Sequence, residues 1–550
     1  MKNAAQVLVD ALMAQGVTTA FGVPGESYLA VLDALHAAPI RLVANRHEGG
    51  AAFMAEAWGK LTGAPGIAFV TRGPGAANAA IGVHAAQQSA TPMILFVGQA
   101  PLTMRDRRAF QEVDYRAVFG DLAKWVAEVE TPDRMAELVG RAFAVAQSGR
   151  PGPVVLALPE DVLTAPAPTP AGPRVAVPRP GPDTAALAAI RDRLAAARLP
   201  LVVAGGGGWT PQGRAALRAF SEANRLPVLA EFRRLDILDQ DSPSYAGDLG
   251  LAKGPAIRRL LESSDVILAL GAEFGEIATD GYRLLAPPAP GPALIHVHPD
   301  PDEIGRVYAA ALPIVADADA TARALAELLL PDAPWAERTA AARADWLDRT
   351  PAPQPGDLDL GAVYAHLDAV LPDDAIGTNG AGNFATWPTR HLTWRGARRL
   401  IAPQSGAMGY GLPAAIAARI AHPDRRVICF TGDGDFQMTA TELGTALQAQ
   451  AQPIVLLLNN ASYGTIRMHQ ERDYPDRVTF TDIVNPDFPA LARAYGFHGE
   501  RVTRTEEFPA AFARAEAAPA GALIELVVPV EAISPQRSLS QIRGTGARHA

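Results

Sequence analysis

The chain has 550 residues, 49 Lys and Arg against 58 Asp and Glu, a net charge of −9 and a single cysteine, Cys429. At the roughly 100–200 residues usual for a domain, this length sets about three to four domains, enough to bury cores without disulfide or metal staples. One cysteine excludes an intrachain disulfide framework, the acidic balance argues against a nucleic-acid partner, and the run Val427-Ile428-Cys429-Phe430 reads the thiol as a buried strand residue.

The N-terminus reaches Asp10 before a signal-peptide core could form, and no uncharged apolar run approaches the ~20 residues of a membrane span. The expectation is a cytoplasmic protein with no membrane partner. None of the four lysines, Lys2, Lys60, Lys124 and Lys253, stands in a G-x-x-x-x-G-K-[ST] loop, which excludes a Walker-type nucleotide triphosphatase.

In chain order, short apolar runs alternate with segments of helical period, the pattern of parallel sheets covered by helices. Strands are expected at Arg41–Ala44, Gly66–Val70 and Met93–Val97, with helices Glu48–Leu61 and Ala76–Gln87 between them. Seven prolines from Pro166 to Pro182 then read as an extended linker. Further strands are expected at Leu201–Ala204, Val266–Leu270 and Leu294–Val297, followed by a second proline-rich stretch, Pro351–Gly356. The last block offers Ala375–Thr378, Arg399–Ala402, Arg426–Thr431, Ile454–Leu458 and Ala522–Val527. The expected fold is therefore α/β, three open parallel-sheet domains over residues 1–165, 184–335 and 357–550, with ligands at the carboxyl ends of strands.

The strongest motif stands at such an end. Gly432-Asp433-Gly434 closes one strand, and Asn459-Asn460 closes the next after twenty-four intervening residues. An aspartate and an asparagine on neighbouring strand tips can present oxygens to one Mg²⁺, which completes its shell with water and phosphate oxygens. The glycines Gly432 and Gly434 let a phosphate approach the backbone beside a helix N-terminus. Asp433, Asn460 and the backbone carbonyl of Ser462 are the expected metal ligands, and the spacing matches a thiamine diphosphate signature. Asp-Gly is also a common tight turn, so the dipeptide alone says little.

Thiamine diphosphate needs a carboxylate against N1′ of its pyrimidine. Glu48, in Arg46-His47-Glu48-Gly49-Gly50, follows the strand Arg41–Ala44 and suits that task. It equally suits the helix dipole as a first-turn acid.

The first block reads Arg46-His47-Glu48, Thr71-Arg72-Gly73-Pro74-Gly75-Ala76-Ala77-Asn78, Val97-Gly98-Gln99, Phe110-Gln111-Glu112-Val113-Asp114 and Lys124. The third adds Gly406-Ala407-Met408-Gly409-Tyr410-Gly411-Leu412-Pro413 before the metal motif. In order and spacing, from Val17 to about Val528, the chain resembles the acetolactate synthase (acetohydroxyacid synthase) large-subunit group of thiamine diphosphate-dependent decarboxylases and carboligases. The resemblance implies pyrimidine-binding, central and diphosphate-binding domains. It implies Glu48 as the N1′ carboxylate, Met408 as the apolar wedge that bends the cofactor, and cofactor contacts from Gly73 and the backbones of Gly406 and Met408. It places Phe110 and Gln111 around the reacting centre, and it implies a homodimer or tetramer with Glu48 and Asp433 meeting across the subunit interface.

The sequence also departs from that pattern. Where biosynthetic relatives carry an arginine for the acceptor carboxylate, Leu270-Gly271-Ala272-Glu273-Phe274 has an acid, which would repel it. A tryptophan used for acceptor choice aligns with His469, and a lysine common in relatives aligns with Glu160. Arg467 or His469 are candidate replacement cations, unless they pair with acids such as Glu471. Several relatives hold FAD in the central domain. The strand ending in Gly205-Gly206-Gly207-Gly208 suits either dinucleotide phosphates or a tight turn, and Thr210 breaks the three-glycine fingerprint.

The expected activity is acetolactate synthase-like carboligation on a 2-oxo acid such as pyruvate with a carbonyl acceptor. The alternatives are a 2-oxo acid decarboxylase or 2-hydroxy ketone lyase with an aldehyde partner, a non-catalytic cofactor-binding regulatory relative, and, more weakly, a nicotinamide dehydrogenase using Gly205–Gly208.

Overall fold

A computed structural model describes residues 1–251 and 253–546. It contains three six-stranded sheets in which every named strand pairing is parallel. The first comprises β1 (Thr19–Gly22), β2 (Arg41–Ala44), β3 (Gly66–Val70), β4 (Met93–Gln99), β5 (Trp125–Glu128) and β6 (Pro153–Pro159), in the order 2-1-3-4-6-5. The central sheet comprises β7 (Pro200–Ala204), β8 (Val228–Ala230), β9 (Tyr245–Asp248), β10 (Val266–Leu270), β11 (Ala293–His298) and β12 (Leu312–Val315). Its order, 12-11-10-7-8-9, is that of a dinucleotide-binding doubly wound sheet. The third comprises β13 (Ile376–Asn379), β14 (Arg399–Ile401), β15 (Val427–Gly432), β16 (Ile454–Asn459), β17 (His498–Val502) and β18 (Ala522–Val527). Counted from its own first strand, its order 14-13-15-16-18-17 repeats that of the first sheet.

The inner strands are largely apolar because helices cover both faces. β3, β4, β6, β7, β10 and β15 are buried at every position, Cys429 included. Helix Pro74–Gln88 starts two residues before its expected start, with proline at the first helical position.

The first and third sheets share one core. Helix Glu48–Thr62 packs against helix Gly411–Ala421, and Phe53 and Met54 lie in the same cluster as Tyr410, Leu412 and Ile416. The segment Ala440–Glu442 also approaches helix Glu48–Thr62 closely: a Cβ on Gly50 would fall 2.3 Å from the Glu442 carboxylate. The central sheet keeps separate cores. Residues 168–183 have no helix or strand, but they are held by bonds between the Gln15 side chain and Pro173 and Val175, and from Asp317 N to Pro180 O. Among the described residues no helix is long and apolar enough to cross a membrane.

Candidate active site

β15 and β16 are neighbours in register, Gly432 opposite Leu458, so Asp433 and Asn459-Asn460 leave the same edge of the sheet side by side. Asp433 opens the short helix Asp433–Gln437 and is buried. Its carboxylate accepts from Gly434 N at 2.9 Å and from Asn485 Nδ2 at 2.7 Å. Burial raises its pKa, and the Asn485 and Gly434 bonds pull it back. The same Asn485 nitrogen donates to Asn459 Oδ1 at 2.9 Å, and Asn485 Oδ1 accepts from Gln437 Nε2. Ser462 is buried and donates its N–H to Asn460 Oδ1 at 3.2 Å. Asp433, Asn460 and Ser462 line one cavity, and carboxylate, amide and carbonyl oxygens are the kinds of donor that Mg²⁺ takes.

Beside them lies a cavity of about 250 Å³ lined by Gly406, Met408, Gly432, Asp433, Gly434, Asn460 and Ser462, all expected cofactor or metal residues, together with apolar side chains such as Leu458 and Ile533. Two glycines are sterically required. A Cβ on Gly434 would fall 2.7 Å from the Tyr463 ring, and one on Gly432 2.8 Å from the Phe384 ring. Gly406 has φ +66° and nothing within 4 Å of the position a Cβ would take, so its backbone faces open space. A lining that combines Asp433, Asn460 and Ser462 with apolar side chains fits thiamine diphosphate with its metal.

The second group stands at the carboxyl edge of the first sheet. Glu48 begins its helix, capped by His47, and its Oε2 accepts from Asn78 Nδ2 at 2.9 Å. Gly73, at φ +43°, donates its N–H to the Tyr115 hydroxyl at 2.9 Å and packs on Gln111. Phe110 is 69% exposed, with the Arg72 guanidinium 5.8 Å from its ring. None of these residues lines the 250 Å³ cavity, so a single chain does not bring Glu48, Gly73, Phe110 and Gln111 together with Asp433 and Asn460.

Asn485, Asn78 and Glu442 had no signal that gave them roles in the sequence. Glu442 is fully buried and takes Asn45 Nδ2 at 3.1 Å and His47 N at 3.0 Å, which fixes the approach to Glu48 from the third domain of the same chain.

Two of the three departures, Glu273 and Glu160, are internally paired. Glu273 forms a two-pronged bond with Arg150, at 2.7 and 3.1 Å. Glu160 pairs with Arg72 at 3.1 Å. Arg467 is engaged by Glu471 and Asp482 at 3.3 and 3.1 Å, and burial followed by Arg472 lowers the pKa of His469. Arg467 is thus not a free cation for an acceptor carboxylate.

The glycine run is tightly packed where side chains would project. A Cβ would fall 2.0 Å from a Glu231 oxygen at Gly205, 2.5 Å from Gly271 O at Gly206 and 2.7 Å from Ala90 O at Gly207. The Glu231 carboxylate accepts from the N–H groups of Glu273 and Phe274, and Asp319 takes both Thr210 N and Thr210 Oγ1 at the start of helix Pro211–Ala223. Carboxylates and backbone therefore pack against the run, and Gly206, Gly207 and Gly208 also line a cavity of about 820 Å³.

Family models match in three pieces: the thiamine pyrophosphate enzyme N-terminal TPP binding domain over residues 2–118, the central domain over 187–325 and the C-terminal TPP binding domain over 380–526. The chain is 33% identical over 521 residues to the acetolactate synthase isozyme 2 large subunit of Escherichia coli (strain K12), covering 92% of each. It is 34% identical over 550 residues to the acetolactate synthase large subunit of Parasynechococcus marenigrum (strain WH8102), covering 96% of this chain and 87% of that one. It is 35% identical over 513 residues to a probable 2-ketoarginine decarboxylase of Pseudomonas aeruginosa, covering 90% and 88%. Similarity that runs nearly end to end, through the same three domains, places the chain in the acetolactate synthase large-subunit family of thiamine pyrophosphate enzymes, with carboligase or decarboxylase activity.

Proposed function

We propose that the protein decarboxylates a 2-oxo acid such as pyruvate and joins the remaining fragment to a carbonyl acceptor, at a site built from two subunits. The observation that carries this reading is the 250 Å³ cavity, whose lining unites Gly406, Met408, Gly432, Asp433, Gly434, Asn460 and Ser462. Asp433, Asn460 and the Ser462 carbonyl would hold Mg²⁺, and the backbone at Gly432 and Gly434 would receive the diphosphate. Met408 would support the bend of the cofactor and Gly406 would bond its pyrimidine. When bound, thiamine diphosphate supplies a nucleophilic carbon and a sink for the electrons released with CO₂.

Glu48 of a second copy would hold a proton between its carboxylate and pyrimidine N1′, oriented by Asn78 at 2.9 Å. Gly73, Phe110 and Gln111 of that copy would wall the reacting centre and exclude water; the 69% exposure of Phe110 in one chain supports a face that a partner covers. The compartment we propose is the cytoplasm.

A second reading, decarboxylation to an aldehyde without an acceptor acid, is favoured by the pairing of Glu273 with Arg150 and of Arg467 with acids. Incubation with a panel of 2-oxo acids and aldehydes, followed by mass spectrometry, separates the two: carboligation yields 2-hydroxy ketone or 2-hydroxy-2-alkyl acid products, whereas aldehyde and CO₂ alone establish the second reading. No turnover of any 2-oxo acid, with cofactor demonstrably bound, would sink both.

A further inference from the structure

The loop that carries Gly406 and Met408 and the turn that carries Asp433 come from different parts of the third domain, and one side chain joins them. Asp435 lies two residues past Asp433 in helix Asp433–Gln437 and is buried. Its Oδ1 accepts from Gly409 N at 2.9 Å and from Ala381 N at 3.2 Å, and its Oδ2 accepts from Thr431 Oγ1 at 2.7 Å. Thr439, just beyond the same helix, donates its hydroxyl to Gly409 O at 2.7 Å. Gly409, next to Met408, is thus held at both its N–H and its C=O by residues that follow the metal motif.

The fit around this carboxylate is close. A Cβ would fall 2.1 Å from Asp435 Oδ1 at Gly380, and 3.0 Å from Met438 Cβ at Gly409, whose φ is +79°. The Arg233 guanidinium of the central domain donates to Gly380 O at 3.2 Å and attracts the carboxylate. A buried carboxylate with such donors keeps one orientation, because each displaced bond leaves a buried donor unpaired.

Gly406, Met408, Asp433 and Asp435 all line the 250 Å³ cavity. We propose that Asp435 is a positioning residue that sets the separation between the metal and diphosphate end of this cavity and the Met408 loop at its pyrimidine end. The proposal rests on the roles given above to Asp433, Gly406 and Met408. A ligand held at both ends gains from a fixed separation, and a ligand held at one end does not.

The test uses the full chain, freed of cofactor by dialysis and titrated calorimetrically in saturating Mg²⁺ with two probes: thiamine diphosphate, and inorganic pyrophosphate, which reaches only the metal end. Asp435→Ala is expected to weaken thiamine diphosphate roughly tenfold, the order of one charge-assisted hydrogen bond, and pyrophosphate less than about threefold. Asp435→Asn should recover most of the lost affinity, because its amide oxygen still accepts from Gly409 and Ala381 while its nitrogen donates to Thr431 Oγ1. If Asp435→Ala fails to fold, Thr439→Val loosens Gly409 at its carbonyl and should show the same selective loss. Equal losses for both probes, or unchanged thiamine diphosphate affinity in a folded variant, would overturn the proposal. Asp433→Asn should lose both probes; pyrophosphate binding that survives there and still needs Mg²⁺ would overturn the assignment of the metal end, and the proposal with it.

Discussion

One amide nitrogen, Asn485 Nδ2, bonds both Asp433 and Asn459, at 2.7 and 2.9 Å, and so holds the two strand tips at a fixed spacing. Groups that orient a metal ligand typically carry 10- to 100-fold in metal affinity. Asn485→Ala is therefore expected to raise the Mg²⁺ concentration for half-maximal activity by about that factor, with kcat at saturating metal little changed; an unaltered Mg²⁺ dependence would remove Asn485 from the site. Asp433 and Asn460 were legible in the sequence because both close apolar strands at a spacing that spans one crossover. Asn485 was not, because it reaches Asp433 from 52 residues away through a loop whose path no periodicity reveals. A different residue-scale consequence arises at His296, buried on β11 with Nε2 2.9 Å from Ala272 O. Burial lowers its pKa from 6.5 to about 4. Between those values the unfolded chain binds more protons than the folded one, so stability is full above about pH 6.5 and is lost as pH falls towards 4. His296→Gln should flatten the acid limb of the stability curve by up to about 3 kcal/mol, at ~1.4 kcal/mol per pH unit, measured by denaturant melts across that range.

Helix Pro74–Gln88 crosses helix Glu48–Thr62 at Gly82, where a Cβ would fall 2.3 Å from Ala52 Cβ and 2.6 Å from its carbonyl carbon. Backbone cannot yield as a flexible side chain does, so Gly82→Ala should cost about 1–3 kcal/mol despite the better helix propensity of alanine. Gly140, in helix Met135–Gln147, has nothing within 4 Å of its added Cβ, and Gly140→Ala should stabilise by roughly 0.5–1 kcal/mol. Thermal melts of the two variants should move in opposite directions; a parallel shift would contradict the packing argument. The elements themselves divide by the same logic of burial. Strands such as β3, β10 and β15 were readable because helices cover both faces and leave continuous apolar runs. β17, His498–Val502, lies at the sheet edge with one buried residue in five, and β9, at the edge of its own sheet, pairs with β8 across a register shift after its first residue, so neither carries the apolar signature that marks an inner strand.

At the scale of the molecule, three sheets were legible from alternating elements and two proline-rich stretches, and the shared core of the first and third sheets was not. That core depends on glycine and alanine faces of helices Glu48–Thr62 and Gly411–Ala421 meeting across some 350 residues of chain, as at Tyr410 and Glu56, 354 apart. The central claim is that Glu48 of one subunit completes the cavity lined by Asp433 of another. Its most direct test is co-expression of two inactive variants, Glu48→Gln and Asp433→Asn, under separate affinity tags, followed by isolation of the mixed dimer. A site shared between subunits leaves each mixed dimer one site with both native residues, so it should regain about half the wild-type activity per dimer. No activity in a folded, cofactor-loaded mixed dimer would mean that both residues must come from one chain, and would contradict the account.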